Sequence, residues 1–457
     1  MSRLMVPAAA VAAAAAIVTA GCASAGASGP GSLDGAAAIA PANAVAFVAA
    51  SADLGSSRWH GLGKQFLTQF QSLAPAFGDE VDVVVLPGKQ IVAFTQPQDG
   101  AKLAALATKH NAKTRVLGGW TAIAKTAAAL DTVANATSHL ADSALFAEAM
   151  NRLPSDALVR AYANGQEARQ LLASIPGALE TTFAPAHVRY RLSNKNPAAR
   201  FNVATMNFRW VAAAVTSTSD GLKVEAFTRT AGLTAAGAPR YIVHPAPPYV
   251  PALVDEIPSG ALAVLDFQLT PGTFENLDQL PAPLVQLFGA QNANALSLQL
   301  DTLLGGETAI YVRPALPMPE VTLVTQPTDT ATASTTLDTL LAELPSTSMF
   351  SGLKLYRTTI GGQFVVSTTR QGLDAFRGGG AKLSADPSFL AAKKQSGLGD
   401  TTTTGFVYAN VKAALPLAAL AGVKLPAGLP SLGTFMAYGG QTATESSFTA
   451  FLGVTSS

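Results

Sequence analysis

Thr95-Gln96-Pro97-Gln98-Asp99 follows an apolar, strand-like stretch and leads into a helical one. Thr325-Gln326-Pro327-Thr328-Asp329 stands in the same setting in the second half of the chain. A recurrence at this separation is the mark of one folding plan used twice, and it takes precedence over any local reading. Working outward, Gly118-Gly119 followed by Leu130-Asp131 returns as Gly361-Gly362 followed by Leu373-Asp374, with the same internal spacing. Tyr162-Ala163-Asn164 returns as Tyr408-Ala409-Asn410, and the opening Pro41-x-x-Ala44 as Pro258-x-x-Ala261. The separation between matched pairs grows down the chain, as small insertions in the second copy would make it. One is visible where the Pro87-Gly88 turn is replaced by the longer Pro314-Ala315-Leu316-Pro317-Met318-Pro319.

Hydropathy patterning fills in the first copy. Val81 to Leu86 and Gln90 to Thr95 read as strands turned by Pro87-Gly88, and Gln98 to His110 as a helix with Leu103 and Leu106 inward. Thr114 to Leu117 and Thr121 to Lys125 read as a hairpin about Gly118-Gly119, with a short helix over Thr126 to Val133. Leu62, Phe66, Phe70 and Leu73 recur at helical spacing and predict an amphipathic helix between the first two strands. A long strand pair closes each copy. In the first, Phe201 to Thr216 and Leu222 to Arg229 flank the turn Ser219-Asp220-Gly221; in the second, Thr434 to Gly440 and Ser446 to Val454 take that place. Strands joined by tight turns with helices inserted singly predict an α+β fold in two tandem pseudo-repeated halves, residues 41–230 and 257–457. Each is expected to be a mainly antiparallel sheet with helices on one face. Pro245, Pro247, Pro248 and Pro251 mark residues 231–256 as a stiff linker.

The N-terminus carries the sharpest functional signal. Arg3 supplies a positive flank, Leu4 to Val18 an apolar run too short and too interrupted by Pro7 to span a bilayer, and small residues follow. Residues 1–21 therefore read as an exported leader. Ala20-Gly21-Cys22 resembles the lipobox of bacterial lipoproteins, although Thr19 stands where that pattern usually has an aliphatic residue. The resemblance implies cleavage before Cys22 and a diacylglyceryl thioether on its sulfur. Cys22 is the single cysteine, so no intrachain disulfide can form, and acyl chains at about 0.8 kcal/mol per buried CH₂ would hold the protein to the outer face of the cell membrane. Residues 22–40, rich in Ala, Gly and Ser, read as a flexible tether.

Lys and Arg total 30 against 29 Asp and Glu, a net charge of +1, which leaves no electrostatic footprint for nucleic acid. His60, His110, His139, His187 and His244 show no metal-ligand spacing, and no nucleophile elbow or phosphate loop is present, so no metal, cofactor or catalytic residue is assigned. Asp99 with Asp329, Asp131 with Asp374, and Asp142 with Asp386 recur between copies and could in principle serve a hydrolase of envelope polymers. Asp99, Asp329, Asp142 and Asp386 stand where helices begin, where a carboxylate caps free amides, and Asp131 and Asp374 fall on exposed helix faces. Taken together, the leader, the paired Pro-x-x-Ala openings and the Tyr-Ala-Asn motifs resemble an uncharacterised family of secreted bacterial lipoproteins (domain of unknown function 3352 type). That resemblance implies a class and no mechanism. The expected function is a non-enzymatic envelope protein that binds another surface component. A carrier of a lipid or other apolar ligand, lined by residues such as Phe66, Phe70, Phe267 and Phe389, is the alternative.

Overall fold

A computed structural model describes residues 33–53, 55, 59, 76–165, 167, 208–230, 247–269, 293–315, 319–343, 354–420, 432–442 and 444–454. The chain is a mixed α/β protein built on antiparallel strands, and it divides into two compact units, one mainly before and one mainly after residue 235.

The first unit contains β1 (Ala46–Ser51), β2 (Glu80–Leu86), β3 (Gln90–Thr95), α1 (Gly100–Lys109), β4 (Lys113–Leu117) and β5 (Trp120–Ala124). It continues with α2 (Ala127–Ala134), α3 (Ala144–Met150), β6 (Val159–Asn164), β7 (Phe208–Thr218) and β8 (Gly221–Thr230). Its strands lie in the order β8-β7-β6-β1-β2-β3-β5-β4. β1 is buried along its whole length, with Phe47 opposite Val84 on one side and Tyr162 on the other, as a central strand must be. Phe146 of α3 meets both Phe47 and Tyr162 edge-on, at centroid distances of 5.4 and 5.2 Å. Such contacts add about 0.5–1.5 kcal/mol each beyond area burial. The hairpin at Gly118-Gly119 needs glycine, since both residues adopt positive φ. At the β2–β3 turn Gly88 does the same, but Lys89 is also held at φ 65°. A side chain there costs about 1 kcal/mol, so Lys89→Gly should raise the unfolding free energy by that amount in urea denaturation, with no change in m-value.

The second unit contains β9 (Ala263–Gln268), α4 (Ala293–Leu304), β10 (Glu307–Arg313), β11 (Glu320–Thr325), α5 (Thr330–Glu343), β12 (Tyr356–Ile360) and β13 (Gln363–Ser367). It continues with α6 (Arg370–Arg377), α7 (Pro387–Ser396), β14 (Gly405–Asn410), α8 (Val411–Leu420), β15 (Leu432–Gln441) and β16 (Glu445–Val454). The strand order is β16-β15-β14-β9-β10-β11-β13-β12. Phe389 of α7 meets Tyr408 edge-on at 5.2 Å.

Three expectations change here. The helices do not keep to one face. Leu303 of α4 and Ala333, Leu337 and Leu340 of α5 pack with Phe364 and Val366 of β13, whereas Leu373 and Phe376 of α6 and Phe389 of α7 pack in the cluster that holds Val365. Alternate residues of one strand thus carry helices on opposite sides, which is why Phe364, Val365 and Val366 are all buried. The tether does not extend to residue 40. Leu33, Ala36, Ala37 and Ala40 are buried in the first core, and Gly35–Ala38 form a 3-10 turn. Likewise the linker does not run to 256, because Leu253–Asp255 form a 3-10 turn with Leu253 buried in the second core. Both segments are ordered despite their composition because long-range hydrogen bonds hold them. The helix expected over Leu62 to Leu73 lies outside the described residues.

Candidate functional site

Each unit places a pair of carboxyl groups beneath the turn that precedes its first strand, the aspartate of each pair wholly buried. In the first, Glu80 opens β2 and its Oε1 accepts the backbone N–H of Asp34 at 2.8 Å and of Gly35 at 3.0 Å. Two residues on, and therefore on the same face, Asp82 Oδ2 accepts the N–H of Ala36 at 2.9 Å. Asp82 is wholly buried, between Ala49 of β1 and Phe94 of β3. In the second unit Glu307 opens β10, and its Oε1 accepts the N–H groups of Ala252 and Leu253 at 2.8 Å each. Its companion, Asp266, comes from β9 and is also wholly buried, between Ala309 of β10 and Phe406 of β14. Tyr249 donates its hydroxyl to Asp266 Oδ1.

The electrostatics follow from burial. Among the described residues Asp82 Oδ1 and Asp266 Oδ2 have no N–H or hydroxyl donor, and the polar group beside each is the neighbouring glutamate. Two carboxyl oxygens attract only if one carries a proton. Desolvation drives Asp82 well above the usual carboxylate range, reinforced by the charge of Glu80. Desolvation likewise pushes Asp266 up to about 8, against the opposing hydrogen bond from Tyr249. Glu80 and Glu307 are also raised by burial but are drawn back by the amides they accept and by the aspartic acid beside them. Burial thus favours the neutral form of each aspartate, beside a glutamate that holds backbone amides. Arg160, 4% exposed, braces the first turn from the other side. It donates to Leu33 O and Met150 O and pairs with Asp34 at 2.9 Å.

Asp82 and Asp266 are enclosed in this way, and what they do there is bind a proton and hold chain. The carboxylates singled out in the sequence do other work. Asp99 caps α1 by accepting from Lys102 N, Asp329 caps α5 through Ala331 N and Thr332 N, and Asp386 caps α7 through Ser388 N and Phe389 N. Asp142 differs: it ends a 3-10 turn and accepts from His139 N, and Ser143 caps α3 instead. Asp131 and Asp374 are exposed and pair with Arg115 and Arg377. Tyr162 and Tyr408, of the recurring Tyr-Ala-Asn motif, are core residues at 2% and 0% exposure. Phe389 is likewise core, whereas Cys22, His60, His187, His244, Phe66 and Phe70 lie outside the described residues.

Among the described residues no group of three or more His, Cys, Asp and Glu is placed to hold a metal ion, and no helix is long and apolar enough to cross a membrane. The buried pairs had a faint sequence signal, an acidic residue inside an apolar strand, in Glu80-Val81-Asp82-Val83-Val84-Val85 and Val264-Leu265-Asp266-Phe267. No protein-family model matches the chain, and no curated protein matches it. A solved structure titled "Structure of crystal form I of TP0453" aligns over 44% of this chain and 81% of its own, at 9% identity. Its TM-score of 0.24 is too low to indicate a shared fold.

Proposed function

We propose that this chain is an exported lipoprotein, held to the outer face of the cell membrane through acylated Cys22, whose folded body binds another envelope component without catalysing a reaction. The observation that carries the reading is the leader itself: Arg3, the apolar run and Ala20-Gly21-Cys22, ending on the single cysteine of the chain. Its support from the fold is chemical. The recurring carboxylates Asp99, Asp329 and Asp386 are engaged as helix caps, and Asp82 and Asp266 are wholly buried. A binding role also fits the edge strand β4, where Val116 is 73% exposed between the charged Arg115 and the turn. Cys22→Ser should move the protein from the membrane fraction to the soluble extracytoplasmic fraction and remove the acyl mass from its N-terminal peptide. Retention of the variant in the membrane fraction would sink the proposal.

We also infer that the two units descend from one. Adding a constant to every strand number of the first unit turns its order into that of the second. Further support comes from the paired turn glycines, at φ 54° and 84° in Gly118-Gly119 and 57° and 84° in Gly361-Gly362. The edge-on pairs Phe146–Tyr162 and Phe389–Tyr408 correspond in the same way.

A further inference from the structure

The two carboxyl pairs agree in arrangement while differing in sequence. The glutamate stands at the head of the second strand in both units, as Glu80 and Glu307, and binds the amides of the turn ahead of the first strand. The aspartate, however, changes strand. In the first unit Asp82 belongs to β2 and faces Ala49 of β1; in the second Asp266 belongs to β9 and faces Ala309 of β10. The carboxyl group is thus supplied from either member of one strand pair, with alanine opposite, and has a phenylalanine on its other flank, Phe94 or Phe406. A buried acid that served only as filler could be replaced by an apolar residue at no cost, whereas here the acid is present twice by two routes.

We propose that each pair is a proton-operated latch: one proton held between aspartate and glutamate closes the turn ahead of the first strand onto the sheet, and its loss releases that turn. When the aspartic proton leaves, two negative charges face each other with no cation between them among the described residues. Around Asp82 the ionisable groups are Glu80 and Asp34, and Arg160 is already engaged by Asp34. Around Asp266 they are Tyr249 and Glu307. The flanking strands contribute only alanine and phenylalanine. The least costly relief is for the glutamate to turn out to water, and it then lets go of the amides of Asp34 and Gly35, or of Ala252 and Leu253. In the first unit the released residues, 33–40, adjoin the tether. At about 3.3–3.6 Å per extended residue they would lengthen it by roughly 25 Å, a consequence that rests on anchorage at Cys22, although the latch does not.

The test uses the full chain. With ¹³C at the aspartate carboxyl carbon, two resonances should keep the protonated shift at pH 6, where exposed aspartates are ionised, and Asp82→Asn and Asp266→Asn should each remove one. In parallel, proteinase K cleavage within residues 33–40 is followed from pH 6 to pH 9, normalised to a free peptide of that sequence. The wild-type rate should climb by about tenfold for each pH unit above the ionisation of Asp82, until the turn is fully free. Asp82→Asn, whose amide still donates to Glu80 and cannot ionise, should stay slow throughout. Ionisation of every aspartate by pH 5, a pH-independent wild-type rate, or the same rise in Asp82→Asn would each overturn the latch.

Discussion

Between about pH 4 and pH 8 the second unit should lose stability on the order of 5 kcal/mol, which is opposite to the behaviour of a protein held by ordinary ion pairs. Asp266 ionises near its usual value in the unfolded chain but only at about 8 in the folded one. Its folded pKa is raised, so its contribution is complete below the unfolded pKa and is lost as the pH climbs through the folded one. Each pH unit in that window costs about 1.4 kcal/mol, because folding takes up a proton that the unfolded chain does not hold. Asp82, raised in the same direction, imposes the same slope on the first unit. The surface acids Asp329, Asp338 and Asp400, depressed by amides or by Arg357 and Lys393, act in the other sense and lose their contribution as the pH falls through their folded values. Maximum stability should therefore sit in the mildly acidic range. The units can be followed separately, since Trp59, Trp120 and Trp210 all belong to the first, and unfolding of the second is read by circular dichroism without a tryptophan signal. The Asp266→Asn profile should be flat where the wild type slopes, and a wild-type midpoint that rises from pH 5 to pH 8 would contradict the protonated pair.

The second large effect concerns the Thr-Gln-Pro-x-Asp corners. A Cβ on Gly78 would lie 2.0 Å from the carbonyl oxygen of Gln96, and one on Gly306 would lie 2.1 Å from that of Gln326. Neither corner can retreat. Thr95 Oγ1 accepts from Gly78 N and donates to Glu80 O, and Gln326 N donates to Glu307 O at 2.9 Å. Gly78→Ala and Gly306→Ala should each lower the unfolding free energy by about 2–3 kcal/mol, as overpacking against fixed backbone does. Gly100→Ala, where the new methyl meets nothing at the start of α1, should cause no loss and serves as the control. Equal midpoints for Gly78→Ala and Gly100→Ala in guanidinium, followed by tryptophan fluorescence, would show that the approach of the two segments is not a constraint.

Local chemistry was legible where a residue's role is settled within a few positions of itself. The glycine turns at 118–119 and 361–362, the Ser219-Asp220-Gly221 hairpin and the caps Asp99, Asp329 and Asp386 are of this kind. Asp142 failed as a cap because Ser143, one residue later, took the position. The carboxyl pairs were not legible, since an aspartate in a strand ordinarily faces water. Only the closing of a turn some 46 residues away over Asp82, and one 55 residues from Glu307 over Asp266, turns these acids inward.

From its own residues the chain determined the alternation of strands and helices, the corners and tight turns, and the recurrence of motifs between its halves, because hydropathy period, glycine φ and capping act over short range. Tertiary structure alone decided that helices lie on both faces of the second unit's strands, that an alanine-rich segment belongs to the core, and that two aspartates are buried where desolvation raises their pKa. Those outcomes depend on which distant groups exclude water from a carboxyl, and no window of sequence contains both partners.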